Sequence, residues 1–370
     1  MSRFTRPAPH WITAIVLSVI LALSAAEAVL RLDLIPVPVV YESYWFSDHP
    51  GTFRDQHRAF GYAPYTTNHE TVLVADMTQA VMEHHARFQT NNAGLVQRRD
   101  IRPETSYTVV VGDSFTQGVG ARPWFYDLEG EFPELPLANL GIAGTGVAHW
   151  ARAVDWFARE VAPVEDLVVL FITDDFVRPY WQARVSEESV SFCTDDDCQL
   201  VTTRWRSGSP GELLRMRREL NAPPSSLSRW TQEGLRHLLS QFRLGQFVVN
   251  LRRRYLAQRE PTWLEENKRL FSEMLRRRPA RFALHLPQKE EAAAGRWSPE
   301  SRSIHRFVEE TGVRTIDGLA RCGLTADGFY PHDPHPNASG YAMIRRCLAD
   351  VLGEELSRRH PATPYAQAAR

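Results

Sequence analysis

The pattern of apolar and polar residues predicts strands that alternate with helices from about residue 107 onwards. Five short apolar runs are typical of buried strands, at 107–111, 137–142, 167–172, 281–287 and 313–317. Helical spacing follows at 146–162 and 338–358. The run at 167–172 contains no polar residue, as in a parallel sheet covered on both faces. The pattern therefore predicts an α/β fold, a three-layer α/β/α sandwich around a mostly parallel five-stranded sheet.

Two parts of the chain do not follow this alternation. Residues 32–106 are polar, aromatic and irregular, and they predict a lead-in region with short strands that packs on the main domain. The main domain, 107–370, carries an arginine-rich insertion at about 177–280. Its arginine clusters are typical of solvated helix faces, and the alternative is a basic surface for an anionic polysaccharide or lipid headgroups.

The N-terminal segment is apolar and follows a basic flank. Arg3 and Arg6 precede an apolar run from about residue 11 to residue 31, which Glu27 interrupts. This order is typical of an export signal. Residues 1–31 are therefore predicted to be a signal-anchor that crosses the inner membrane once and leaves the rest of the chain in the periplasm. The alternatives are cleavage at a Ser-Ala-Ala run, which gives a secreted protein, and a buried core helix.

The net charge bears on the possible partners, and the cysteine content bears on disulfides and metal sites. The 370 residues carry a formal net charge of -1 at pH 7, which gives no reason to expect a nucleic-acid partner. The four cysteines are Cys193, Cys198, Cys322 and Cys347. An even number in an exported protein predicts disulfides, 193 with 198 and 322 with 347. A zinc site is the weaker alternative because no C-x-x-C pair is present, and no metal or cofactor is predicted.

Two distant blocks carry the residue types of an activated serine. The first strand ends in Gly-Asp-Ser at 112–114, and Asp333 and His335 follow far downstream. A serine hydroxyl needs an adjacent base, and the base needs an orienting group. We therefore predict Ser114 as nucleophile, His335 as base and Asp333 as the orienting acid, at the edge of the sheet where ligands bind. His332 is a rival base, and Gly-Asp-Ser is also an ordinary helix N-cap.

These blocks resemble those of the GDSL, or SGNH, hydrolases. Residues 112–116, Gly-Asp-Ser-Phe-Thr, look like the first block of that family, and residues 333–340 look like its last block. Residues 139–144 are similar to the second block, whose final glycine donates a backbone N–H to the oxyanion. The resemblance implies an SGNH-hydrolase-like fold, with an oxyanion hole formed by the backbone N–H groups of Ser114 and Gly144.

One block departs from the family pattern. The family has Gly-x-Asn-Asp after the third strand, where the asparagine completes the oxyanion hole, but this chain has Ile-Thr-Asp-Asp at 172–175. An ionised Asp174 cannot donate a hydrogen bond and would repel a negative intermediate. Asp174 is therefore either a protonated donor, or directed elsewhere so that two donors remain, or the mark of a weak catalyst. We favour the second of these.

The sequence thus predicts a membrane-tethered or exported serine esterase. The resemblance implies small acyl groups, such as O-acetyl esters on carbohydrate or lipid, hydrolysed through an acyl-serine intermediate. One alternative is an O-acyltransferase that passes the acyl group to a cell-surface polysaccharide. The other is a non-catalytic glycan-binding or assembly protein that keeps the fold. Asp174 supports this last alternative, whereas the intact set of Ser114, Asp333 and His335 argues against it.

Overall fold

The structure is a computed structural model that describes residues 10–32, 42–47, 53–56, 59–75, 80–194, 198–204, 244–245 and 263–359. The helices are α1 (His10–Arg31), α2 (Ser114–Gln117), α3 (Phe125–Glu131), α4 (Val147–Trp156), α5 (Trp263–Arg277), α6 (Lys289–Ala294), α7 (Pro299–Glu310), α8 (Gly318–Cys322) and α9 (Ala338–Arg359). The strands are β1 (Glu42–Ser47), β2 (Phe53–Gln56), β3 (Ala59–Tyr62), β4 (Thr67–Ala75), β5 (Ala80–Gln89), β6 (Tyr107–Val111), β7 (Leu137–Asn139), β8 (Val164–Phe171), β9 (Gln182–Val185), β10 (Ser189–Cys193), β11 (Cys198–Arg204), β12 (Ala280–His285) and β13 (Thr315–Asp317).

The chain divides into two compact units. One comprises residues 1–42, 75–80 and 211–260, and the other comprises residues 43–74, 81–210 and 261–370. The first contains α1, whose segment Ala14–Arg31 has a mean hydropathy of 2.0 and is long and apolar enough to cross a membrane, a property that signal sequences share. Within α1, Arg31 pairs with Glu27 at 2.8 Å. This ion pair compensates the one acidic charge of the apolar run.

The second unit contains a five-stranded parallel sheet in the order β13-β12-β8-β6-β7. Side chains alternate between its faces: Val110 of β6 packs with α3 and α9, while Val109 and Val111 pack with α4, α5 and α7. Both faces are therefore covered, which explains the uninterrupted apolar runs at 109–111 of β6 and 167–171 of β8. The predicted three-layer α/β/α sandwich is confirmed.

All five predicted strands are present; the first has the predicted ends, and each of the other four is shifted at one end or both. The second is shorter than predicted because Asn139 turns the chain out of the sheet. Its Oδ1 accepts from the Gly141 N–H at 2.9 Å, and its Nδ2 donates to the Val96 carbonyl at 3.1 Å. The predicted helix at 146–162 is α4 followed by a π-helical turn, Phe157–Val161.

A second sheet joins the lead-in region to the range predicted as an insertion. Its six strands run in the order β5-β4-β1-β11-β10-β9. β1 pairs with β11 in parallel, although about 150 residues separate them, and β9, β10 and β11 form an antiparallel meander. The end of the same range is α5, whose Phe271 and Met274 are buried against the central sheet. The predicted arginine cluster at 252–254 lies outside the described residues.

Both predicted disulfides are present. Cys193 is bonded to Cys198 at the turn between β10 and β11, and Cys322 of α8 is bonded to Cys347 of α9. These two bridges use all four cysteines of the sequence. The second bridge fastens the segment before the Asp333 loop to the helix that follows it.

The bridge between Cys322 and Cys347 is expected to contribute more stability than the other. It closes a separation of 25 residues, whereas the first bridge closes one of 5. Loop-closure entropy then predicts a loss of about 3.5 kcal/mol when Cys322 and Cys347 are replaced by alanine, and of about 2 kcal/mol for Cys193 and Cys198. Urea denaturation of the full chain in detergent, followed by circular dichroism, measures both. A larger loss at the short loop would contradict the entropic account.

Candidate active site

Ser114 lies at the carboxyl edge of the central sheet, where β6 turns into α2. A Cβ atom at Gly112 would lie 1.9 Å from Oγ1 of Thr116 and 2.6 Å from the Leu170 carbonyl oxygen, so only glycine fits this turn. Asp113 caps α2, its Oδ1 accepting from the Phe115 N–H at 2.9 Å. The strand and the cap together hold Ser114 at the first position of the helix, and its residue surface is only 3% exposed.

The C-terminal block forms a tight loop that ends at α9. Asn337 holds both ends of it: Nδ2 donates to the carbonyls of Asp327 and Phe329, at 2.7 and 3.0 Å, and Oδ1 accepts from the Ser339 N–H at 2.9 Å. Within the loop, Oδ1 of Asp333 accepts from the His335 N–H at 2.9 Å and is also bonded to His335 Nδ1. An ionised carboxylate only accepts, so the proton resides on Nδ1 and leaves Nε2 as a base.

The pair is electrostatically coupled. Burial lowers the pKa of His335, but the Asp333 carboxylate and its hydrogen bond outweigh burial and raise this pKa above its ordinary value. Burial raises the pKa of Asp333, and here the interactions with His335 prevail and lower it. Asp333 therefore stays ionised at neutral pH, and it favours an imidazolium at His335.

The loop with Asp333 and His335 packs beside the Ser114 segment. The rings of Phe115 and His335 lie 6.0 Å apart, and the hydroxyl of Tyr341 donates to the Ser114 carbonyl at 3.4 Å. The Ser114 hydroxyl itself donates to Oδ2 of Asp113 at 3.3 Å. No hydrogen bond joins this hydroxyl to His335 among the residues that the structure describes, and such catalytic hydrogen bonds often form only with substrate bound. The structure thus brings the three predicted residues to one edge of the sheet.

Gly144 has the backbone conformation that a close approach requires. Its φ is 76°, and a Cβ atom there would lie 2.7 Å from the ring of Phe192 in β10. The preceding residue is also held, because the Ala143 N–H donates to Oε1 of Gln117 in α2 at 2.8 Å. This glycine loop therefore packs against the helix that begins with Ser114, under the disulfide-bonded β10–β11 hairpin.

The two aspartates after β8 have different surroundings. Asp174 is exposed, and its carboxylate bonds with the side chain of Gln288. Partial desolvation raises the pKa of Asp174, against the opposing effect of Arg178. Asp175 is fully buried, where Oδ2 accepts from the Ile172 N–H at 2.9 Å. Asp175 is thus the structural member of the pair.

Sequence reasoning missed Arg178, which joins three segments of the site. Its Nη1 lies 2.9 Å from Oδ2 of Asp113, 2.7 Å from Oδ1 of Asp175 and 2.6 Å from the Thr145 carbonyl oxygen. Burial lowers the pKa of Arg178, but the two carboxylates outweigh this and raise it. Burial and the Asp113 charge raise the pKa of Asp175. The guanidinium therefore compensates the acidic charge beside Ser114.

The lead-in region also reaches the site, which the sequence did not reveal. Trp45 of β1 lies edge-on to His335, with ring centroids 5.5 Å apart, and Glu83 of β5 bonds the rival base His332. The Nδ1 of His332 lies 3.0 Å from Oε2 of Glu83, so its ring is engaged away from Asp333. The polar pair Glu-His at 83–84, within an alternating strand, was the sequence signal that could have indicated this role.

Among the described residues, no group of three or more His, Cys, Asp or Glu is arranged to hold a metal ion.

Replacing Asp174 with asparagine is expected to change kcat for a short-chain ester by less than about tenfold, since loss of a true oxyanion donor costs about 10²-fold or more. The reason is that the exposed carboxylate bonds with Gln288. Steady-state hydrolysis of a nitrophenyl ester measures the effect, and Asp350→Asn, at an exposed position of α9, is the control. A gain above tenfold would mean that the carboxylate hinders the reaction.

Comparison with known proteins adds little to this geometry. No protein-family model matches the chain, and no curated protein matches it. Among solved structures, the chain is similar to a member of the lipolytic protein G-D-S-L family from Veillonella parvula DSM 2008, with 10% sequence identity and a TM-score of 0.35. The match covers 67% of this chain and 98% of that one. Inferences about function therefore depend on the site itself.

Proposed function

We propose that the protein is a serine esterase of SGNH type that hydrolyses small acyl esters, O-acetyl groups in particular, on carbohydrate or lipid. The observation that supports this proposal is the hydrogen-bonded pair of Asp333 and His335, which packs against Phe115, the residue after Ser114, at the carboxyl edge of a parallel sheet. This is the edge where open α/β sheets bind their ligands. Such a combination of acid, imidazole and buried hydroxyl is what nucleophilic acyl transfer requires.

The reaction would proceed in two steps. Oγ of Ser114 attacks the ester carbonyl while Nε2 of His335 takes its proton, and Asp333 stabilises the imidazolium. The backbone N–H groups of Ser114 and Gly144 stabilise the oxyanion of the tetrahedral intermediate. His335 then protonates the departing alcohol, which leaves an acyl-serine. Water, deprotonated by His335, attacks the acyl-serine and releases the carboxylic acid.

Compensation of the charge on Asp113 is part of this proposal. Asp113 is buried next to the nucleophile, and an uncompensated carboxylate there would oppose a developing oxyanion. The ion pair with Arg178 offsets that repulsion. Arg178 also holds the Thr145 carbonyl, which immediately follows the proposed oxyanion glycine, so it positions both sides of the reacting centre.

The proposed location is the periplasm, with α1 retained in the inner membrane as a single span. Two disulfides are expected in an oxidising compartment. The pairing of Glu27 with Arg31 at the end of α1 is compatible with the membrane interface. N-terminal sequencing of the mature protein distinguishes an anchor from a cleaved signal.

An O-acyltransferase is the second candidate, and the burial of the site favours it. Ser114 is 3% exposed and the side chain of His335 is 12% exposed. A transferase must keep water from the acyl-serine until a sugar hydroxyl arrives, and a covered nucleophile helps it to do so. Mass spectrometry of products formed with an oligosaccharide acceptor separates transfer from hydrolysis.

The decisive experiment is covalent labelling. The full chain in detergent is treated with a fluorophosphonate probe, and the modified peptide is identified by mass spectrometry, alongside hydrolysis of a nitrophenyl acetate substrate. We expect labelling at Ser114 together with ester hydrolysis. A chain that is neither labelled nor active would support the third possibility, a non-catalytic glycan-binding or assembly protein that keeps the fold.

A further inference from the structure

The carboxylate of Glu83 accepts hydrogen bonds from the backbone just before and at Asp333. Its Oε1 accepts from the His332 N–H at 2.6 Å and from the Asp333 N–H at 3.2 Å, and its Oε2 lies 3.0 Å from Nδ1 of His332. The Glu83 side chain is only 3% exposed. A single carboxylate from β5 therefore satisfies two consecutive amides and one imidazole of the loop. Bonds of this charge-assisted type are stronger than neutral ones.

Lys289 binds the two backbone carbonyls that precede these amides. Its Nζ donates to the Tyr330 carbonyl at 2.7 Å and to the Pro331 carbonyl at 2.6 Å. The chain has only two lysines, Lys268 and Lys289, among 43 basic residues. A compact ammonium with three donors can converge on two successive carbonyl oxygens, which the planar fork of arginine does less well. The ammonium of Lys289 is therefore well suited to bind these two carbonyl oxygens.

The two charges act on four successive residues, 330–333. Lys289, at the start of α6, holds the two carbonyls, and Glu83 of β5 holds the two amides. Ring packing supports the same segment, since the Tyr330 ring lies 4.8 Å from His84 of β5. A strand of the second sheet, β5, and the helix α6 therefore both hold the backbone that leads to Asp333.

We propose that Glu83 and Lys289 are positioning residues, a two-sided clamp that holds Asp333 and His335 in register with Ser114. This inference rests on the proposed esterase function and extends it: a strand of the lead-in region becomes part of the catalytic machinery. The physical reason is that a misplacement of about 1 Å in a catalytic group can cost about a hundredfold in rate. The bridge between Phe329 and Pro336 closes the base of the loop, and Glu83 and Lys289 hold residues 330–333, which lie in no helix or strand.

The test compares Glu83→Ala, Glu83→Gln and Lys289→Met. We expect Glu83→Ala to lower kcat by about a hundredfold with KM within about twofold, because the substrate site is intact while the base is displaced. Glu83→Gln keeps one acceptor oxygen for the amides and should recover most of the rate, to within about tenfold of the parent. Lys289→Met should lower kcat by about tenfold, since the carbonyls it releases can bind water.

The matched controls are Glu104→Gln at an exposed loop position and Lys268→Met in α5, which should keep the parental kcat. Equal rates for Glu83→Ala and Glu104→Gln would overturn the clamp even if Ser114 proved essential. Equal losses for the alanine and glutamine variants would indicate general destabilisation and would also overturn it.

A second readout does not need activity. Hydrogen–deuterium exchange of the His332 and Asp333 amides should be at least about tenfold faster in Glu83→Ala than in the parent, because both amides lose their acceptor. If the parent neither hydrolyses esters nor reacts with the probe, the proposed function fails, and exchange alone decides the clamp. Unchanged exchange would then reject the clamp as well.

Discussion

Replacing Ser114 with alanine is expected to lower kcat for a nitrophenyl acetate substrate by about 10⁴-fold or more, because no other group can form the acyl-enzyme. Folding should be retained, since the hydroxyl makes one hydrogen bond, to Asp113 at 3.3 Å, and a single bond of this kind contributes about 1 kcal/mol. Burst kinetics and fluorophosphonate labelling check both parts of the reaction. Labelling should disappear together with turnover.

The control for this variant is Ser106→Ala, at an exposed position just before β6. It also removes a serine hydroxyl, at the opposite end of β6 from Ser114, and it should behave like the parent. A Ser114→Ala protein that keeps a tenth or more of the parental kcat would remove the hydroxyl from the mechanism. Hydrolysis would then have to come from another residue.

Much of the central sheet was readable from local sequence. The apolar runs that became β6 and β8 are unambiguous because strands covered on both faces need no polar side chains. The shortening of β7 could not be predicted, since it depends on the hydrogen bond that the Gly141 N–H donates to Asn139 and on the one that Asn139 donates to the distant Val96 carbonyl. Element type followed from local pattern, whereas one boundary depended on a tertiary contact.

The second sheet shows where sequence reasoning stops. β1 pairs with β11 across about 150 residues, and neither strand has the uninterrupted apolar character of β6. Each was readable at most as a short strand, and nothing local specified its partner. Pairing over such a separation is determined by the packing of the whole domain rather than by propensity.

The same distinction applies to the candidate site. Ser114, Asp333 and His335 could be proposed from the sequence because each lies in a block with its own local pattern. Glu83 and Arg178 were not found, because their roles depend on which backbone amides and carboxylates lie opposite them after folding. The departure at Asp174 was visible in sequence, but only the structure shows that its carboxylate is exposed and that Asp175 is the buried member.

Replacing Asp333 with asparagine is expected to lower kcat by about 10³- to 10⁴-fold. The asparagine amide would donate to Nδ1 of His335, which leaves the proton on Nε2 and abolishes the base. Asp327→Asn, at an exposed position of the same loop, is the matched control and should keep the parental rate.

The pH profile tests the same residue independently of the size of the loss. In the parent, Asp333 raises the pKa of His335, helped by Asp113 and Glu70, so activity should rise with pH through a midpoint above about 6.5, where the base becomes neutral. In Asp333→Asn, burial of His335 dominates, its pKa falls, and the residual activity should persist to lower pH. If the acid limb keeps its position in the variant, then His335 is not the group whose ionisation limits the reaction.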